Sequence, residues 1–213
     1  HTALRRQRQM CIRDRNGLYH QLHKGFDENG FWHEGSIAYQ NYTLTAMAIN
    51  IEAARHFGVA LDHHSWSTTA NFSLAINDLF VAHLSLVKPD GTFPKLNDDI
   101  LGTNLASIID LLEFTNRHWP GEVPSTILRQ ARNMSDGLTL RSSLWFSPIN
   151  EASSELTSLN YESFGISVLR HNDMYVLLDY GPHGGWHGHF DKLGVEVSAG
   201  ESNLISDPGT VPY

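Results

Sequence analysis

The chain has 213 residues, 41% hydrophobic and 18% charged, the balance of an ordinary globular protein large enough for one big domain or two modest ones. Its formal net charge of −8 argues against nucleic acid as a partner, because phosphate binding needs a basic face. It also weighs against a polyanionic substrate unless a local basic or metal-bearing cleft overrides it. The single cysteine, Cys11, excludes an internal disulfide framework and a cysteine-rich zinc site, and no run of about 18 apolar residues is present to span a membrane.

At the N-terminus the basic residues lack the apolar core of a signal peptide. Residues 1–15 carry Arg5, Arg6, Arg8, Arg13 and Arg15 against Asp14. The run Met10-Cys11-Ile12-Arg13-Asp14-Arg15 resembles the translation of a transposon-end adaptor, so this tail reads as non-native; a natural basic tail is the alternative. The other end stops at Val211-Pro212-Tyr213, just after a turn signal. The expectation is a fragment truncated at both ends.

From about 36 to 137 the pattern is helical. Leu44, Ala48, Ile51 and Ala54 recur at spacings of three and four, with Ser36 as N-cap and Gly58 as stop. A second run, Phe72, Ile76, Leu79, Phe80 and Leu84, ends at the Pro89-Asp90-Gly91 turn. A third, Leu105, Ile108, Ile109 and Leu112, ends at Trp119-Pro120-Gly121, and a fourth, shorter helix is expected after Pro124-Ser125. Helices in such succession pack as hairpins. Near 140 the period falls to two. Ile166 and Val168, the run Tyr175–Leu178, and Val195 and Val197 read as strands, and residues 199–203 as a turn into another. Helices first and strands afterwards indicate an α+β chain, with the boundary at 138–145.

Four segments carry potential chemistry. In Gly181-Pro182-His183-Gly184-Gly185-Trp186-His187-Gly188-His189-Phe190-Asp191, His187, His189 and Asp191 alternate. On an extended strand they share one face and suit a divalent metal, zinc first; the alternative is a polar loop with incidental histidines. Asp207, before Pro208-Gly209, reads by itself as a turn residue, yet it lies one hairpin after His189. The run from Asn29 to Tyr42 is dense in aromatic and polar groups, as a sugar cleft requires, although a packed helix start uses the same residues. Asp90 to Asp99 reads as a loop with no assigned role.

Taken in order, these segments resemble the heparinase II/III-like polysaccharide lyases over about residues 26–213. The resemblance rests on W-x-E-G-S-x-x-Y at Trp32–Tyr39, D-G-x-x-P at Asp90–Pro94, the stretch Tyr180-Gly181-Pro182 through His187-Gly188-His189-Phe190-Asp191, and Asp207-Pro208-Gly209-Thr210. It implies a partial (α/α) toroid, here 16–140, followed by an antiparallel β-sandwich, here 141–213, with the substrate cleft between them. It implies β-elimination of a uronic-acid polysaccharide of the alginate or heparin type. Tyr39 would be the catalytic acid/base and His187 its assistant, with Trp32, Glu34, Tyr42 and Trp186 as substrate contacts. His189 and Asp207 would bind a structural zinc whose third ligand is expected beyond residue 213. The resemblance thus separates His187 from the metal, where the strand argument joined them. The carboxylate-neutralising Asn or His of the family would precede residue 1, so this chain alone is expected to be inactive. Many relatives have His where Gln40 stands, and the motif does not require a histidine at His33, a tempting base. The implied setting is periplasmic or secreted, with an acidic polysaccharide as partner. A non-catalytic carbohydrate-binding fragment is one alternative. A metallohydrolase of the H-x-H-x-D-H kind is another, with Lys192 where its last histidine belongs.

Overall fold

The computed structural model describes residues 17–67, 73–99, 102–149, 154–182 and 193–209. Helix α1 (Leu18–Gly25) precedes the long α2 (Ile37–His56). Ser36 caps α2 as its position predicts, its Oγ accepting the Tyr39 amide at 3.5 Å. The helix ends at Gly58, whose φ of 74° suits a residue without Cβ, while the Gly58 and Val59 amides take up the carbonyls of Arg55 and Ala54. Ile37, Leu44, Ala48 and Ile51 form its buried face.

The second helical run begins later than its periodicity predicts. Residues Ser65–Ser67 (β1) and Ser73–Ala75 (β2) pair as a small antiparallel ladder, and α3 starts only at Ile76. Asp78 sets that start, because its carboxylate accepts the Ala75 amide at 2.7 Å and so satisfies a donor the helix leaves bare. Helix α3 (Ile76–Ala82) tightens into a 3₁₀ turn over His83–Leu86. The expected turn follows, with Asp90 Oδ1 accepting from both the amide and the hydroxyl of Thr92. A 3₁₀ turn over Ala106–Ile108 leads into α4 (Ile109–His118), which packs against α5 (Glu122–Met134). Helix α5 is longer than the short element expected after Pro124. That proline lies in the first turn, where a missing N–H costs no internal bond, so the helix begins before it. Helix α6 (Leu140–Leu144) is the last among the described residues.

Five strands then form one antiparallel sheet in sequence order: β3 (Leu159–Tyr161), β4 (Ile166–His171), β5 (Met174–Asp179), β6 (Gly194–Ala199) and β7 (Ser202–Ile205). The α+β order read from the sequence is the observed one. Alternation puts Ile166, Val168, Tyr175, Leu177, Glu196 and Ser198 inside. The apolar members of that face join Phe31, Leu86, Phe93, Leu105, Leu112 and Leu128 in one core, so sheet and helices share their apolar interior. A second core gathers α1, α2, α3 and α4 around Leu44, Phe80 and Phe114. The opposite face of the sheet leaves Leu169 64% and Val195 42% exposed. No helix among the described residues is long and apolar enough to cross a membrane.

Two buried ionic contacts hold the layers together. Lys88 Nζ lies 3.5 Å from Glu196 Oε2, both side chains nearly inaccessible. Glu113, fully buried on α4, receives Nε and Nη2 of Arg132 on α5, each at 2.8 Å, and the Ser147 amide at 3.0 Å. A paired fork of this kind is the geometry in which a guanidinium compensates a buried carboxylate.

Candidate functional site

The loop after α1 turns back on itself. Asp27 makes the turn, Oδ1 accepting the amides of Asn29 and Phe31 while Oδ2 accepts the Ser163 hydroxyl. Burial pushes its carboxyl up from the ordinary aspartate range, against the pull of those bonds. The contact with Ser163 fastens this loop to the β3–β4 hairpin. Between them opens a cleft of ≈ 210 Å³, lined by Trp32, His33, Gly35 and Asn97 on the helical side and by Phe164, Ile166, Asp179, Gly181 and Pro182 on the sheet side. Its floor is aromatic, with Phe31 stacked on Phe164 at 4.1 Å between ring centres.

The backbone approaches closely here. Gly165, with φ of 78°, lies so near Gly181 that an added Cβ would fall 2.1 Å from the Gly181 Cα. The start of the glycine-rich segment therefore has to run against the β3–β4 turn, and only glycine at both positions permits it.

Trp32 lines the cleft yet is 9% exposed. Its indole packs on Phe26, and its Nε1 donates to Glu34 Oε2 at 2.7 Å. Gln40 holds the same loop, accepting the Trp32 amide and donating to the carbonyls of Gly30 and Leu79. The glutamine acts there as a buried brace. His33 is exposed in the cleft, its ring 4.5 Å from that of Trp32. Tyr39, half-buried in the first turn of α2, packs against the second core and is not among the residues lining the cleft. Tyr42 is 77% exposed and lines a separate apolar groove along α2 with Ala46, Phe57 and Leu61. Trp186, His187 and His189 lie outside the described residues.

Asp207 is described, and it makes the turn its sequence context predicts, with Oδ1 accepting the Gly209 amide at 2.6 Å. Gly209 (φ 66°) abuts the loop before it, since a Cβ there would lie 2.6 Å from the Asp99 carbonyl oxygen. The same loop is bound by Glu196, whose Oε1 accepts the Lys95 amide at 2.8 Å. Burial raises the Glu196 carboxyl, Lys88 opposes that, and the negative charge of Asp207 adds to it. Asn97, held at φ of 55°, sends Nδ2 to the Glu34 carbonyl at 3.5 Å. Thus Asp90–Asp99, a loop without a role in the sequence, physically connects the last strand to the start of α2. Among the described residues no group of three His, Cys, Asp or Glu side chains is placed to hold a metal ion.

This α+β arrangement has counterparts among known proteins. Residues 156–213 match the family described as "Heparinase II/III-like, C-terminal", a span that holds the Tyr180–Asp191 and Asp207–Thr210 motifs and leaves those at Trp32–Tyr39 and Asp90–Pro94 outside it. Solved structures share the fold. The heparinase III BT4657 gene product with methylated lysines has a TM-score of 0.67 at 17% identity, over 92% of this chain and 28% of that one. Heparan sulfate lyase HepC from Pedobacter heparinus has a TM-score of 0.68 at 14% identity, over 92% of this chain and 28% of that one. The chain therefore spans little more than a quarter of the solved structures it matches. No curated protein matches it.

Proposed function

We propose that this chain is part of a polysaccharide lyase that cleaves an acidic, uronic-acid-containing polysaccharide by β-elimination, in a periplasmic or secreted protein. The observation that carries the reading is the shared cleft: the Trp32–Gly35 turn, which launches the helix bearing Tyr39, faces Gly181-Pro182, which launch the segment bearing His187. The described helices correspond to part of an (α/α) toroid, and the sheet to one half of a β-sandwich. The apolar outer face at Leu169 and Val195 supports the second assignment, because a sheet face of that composition is normally covered.

β-Elimination removes the proton at C5 of a uronic acid and expels the oxygen at C4. The C5 proton is weakly acidic until the neighbouring carboxylate is neutralised and the developing enolate is stabilised by fixed donors. In the proposed mechanism the Tyr39 phenol delivers a proton to the leaving oxygen. When the leaving group lies on the same side as the C5 proton, the Tyr39 phenolate takes that proton and the phenol so formed passes it to the leaving oxygen; on the opposite side neutral His187 would take the C5 proton while the Tyr39 phenol protonates the leaving oxygen. Each role is worth on the order of a hundredfold or more. A phenol has a reference pKa near 10, so the base role requires a neighbouring positive charge, which His187 would supply. Trp32 and Trp186 would offer ring faces to sugar, with Glu34 orienting the Trp32 indole, and Tyr42 would extend the contact onto the separate groove along α2.

His189 and Asp207 would hold a zinc ion. Asp207 would offer its carboxylate just past the last strand, where Oδ1 accepts the Gly209 amide. Bound zinc would fix the glycine-rich segment and the last strand in place and would take no part in bond breaking.

The test is Tyr39→Phe in the polypeptide at its natural length, incubated with alginate, heparin and hyaluronan. Wild type generates the ultraviolet absorbance of an unsaturated uronate and the variant does not, while both keep the same circular dichroism. Turnover retained by the variant removes Tyr39 from the mechanism. A saturated product from wild type would replace lyase by hydrolase.

A further inference from the structure

A second pocket lies at the opposite end of the sheet. Strands β4 and β5 run from the Ile166–Asp179 pair beside the cleft to the His171–Met174 pair at their hairpin, roughly 17 Å away at the rise of an extended strand. Under that hairpin opens a pocket of ≈ 670 Å³, lined by Pro89, Thr157, Ser158, Arg170, His171 and Asn172 together with Glu155.

Arg170 is the unusual member. It stands opposite Tyr175 in the ladder, its guanidinium 4.8 Å above that ring. Nη2 donates to the carbonyl oxygens of Ser85 and Val87, both at 2.7 Å, at the end of the 3₁₀ turn. Nε is buried out of reach of solvent and has no acceptor among the described residues. Among the described residues no carboxylate lies within ion-pair distance of it. Glu155, on the same pocket wall, makes no ion pair with it either. The other cations drawn into the interior have an acid: Lys88 meets Glu196 between the helical part and the sheet, and Arg132 meets Glu113 between α5 and α4. Withdrawing a guanidinium from water without a counter-charge is costly. Carbonyl dipoles and an aromatic face offset only part of that cost.

We propose that this pocket is an oxyanion site, taking a carboxylate or sulfate group with Arg170 as its counter-charge. Guanidinium is the side chain best matched to such planar or tetrahedral oxyanions. The Thr157 hydroxyl, the His171 ring and the Asn172 amide supply further donors around the rim. Ser158 keeps its hydroxyl on the Arg170 amide, at 2.8 Å, and so fixes the strand carrying the arginine. The ligand class is a small acidic sugar unit or a free anion of the same chemistry. This site needs no turnover and does not depend on the lyase reading.

The experiment follows thermal unfolding of the 213-residue chain in sodium sulfate and in sodium glucuronate, against sodium chloride at equal ionic strength. A specific site raises Tm along a saturating curve, as mass action requires, whereas general salt effects do not saturate. Saturation by sulfate alone identifies a sulfated group, and saturation by glucuronate a carboxylate. Arg170→Gln loses the saturating component. Because it also removes two carbonyl bonds, His171→Asp provides the independent arm. That residue is exposed, and the substitution sets an acid at the mouth of the pocket, so the anion binds at least tenfold more weakly. An identical sulfate and glucuronate response in wild type and His171→Asp, or a response no different from chloride, would leave Arg170 as a structural clasp and overturn the proposal. A negative lyase assay would leave the anion result standing.

Discussion

His83 offers the most direct test of how the core is built. Its ring is fully buried at the end of α3, stacked on Phe93 with 5.8 Å between centres. The Leu79 carbonyl favours its proton slightly, but neither ring nitrogen makes a hydrogen bond of good geometry. Burial dominates and pushes its pKa down from 6.5 to about 3. The folded state therefore holds this imidazole neutral, and the unfolded chain binds a proton that the native protein does not. The stability conferred by the neutral ring is complete above about pH 6.5 and is lost as pH falls toward about 3. Between about pH 7 and pH 5 the loss from this one group is about 2 kcal/mol, of the order of one and a half pH units at ~1.4 kcal/mol each. His83→Leu keeps an apolar side chain in the space, has no proton to take up, and removes two unsatisfied nitrogens. Urea unfolding of wild type and variant at about pH 7, 6 and 5 isolates the effect, since the carboxylates that burial raises, Asp27, Asp99 and Glu196, are common to both. The variant should gain about 2 kcal/mol on wild type as pH falls. Parallel pH profiles would show that the imidazole is hydrated or bonded in solution and would refute the reasoning.

Glu113→Ala leaves Arg132 Nε and the Ser147 amide without an acceptor inside the protein, Arg132 Nη2 keeping only the Ser147 carbonyl, and should cost about 3 kcal/mol in urea unfolding; a loss below about 1 kcal/mol would mean that water replaces the carboxylate. Metal analysis of the polypeptide at its natural length should give about one zinc per chain. Zinc content should fall in both His189→Ala and Asp207→Asn, with a lower Tm in each; a stable, active, zinc-free protein would defeat that assignment.

Several features were legible because local chemistry determines them. The 3.6-residue period, the Ser36 cap and the Gly58 stop define α2 whatever it packs against. The period of two gives β4, β5 and β6, and the turn at residues 199–203 gives their continuation into β7. Two segments singled out in the sequence, Trp32–Gly35 and Gly181-Pro182, face each other across the cleft, which depends on glycine at 165 and 181. The start of α3 was not legible. Apolar spacing from Phe72 looked helical, yet pairing of β1 with β2 claims the residues before Ile76.

For α2 and for β4 to β6 the sequence by itself determined helix or strand and which way each side chain points, since those choices depend on neighbours two to four residues away. Only the tertiary structure decided what faces each side chain. Lys88 meets Glu196 across 108 positions, and Asn97 reaches Glu34 across 63. Arg170 is left without an acid for the same reason. Burial and charge compensation are properties of what lies opposite in space, and a linear pattern does not contain that information.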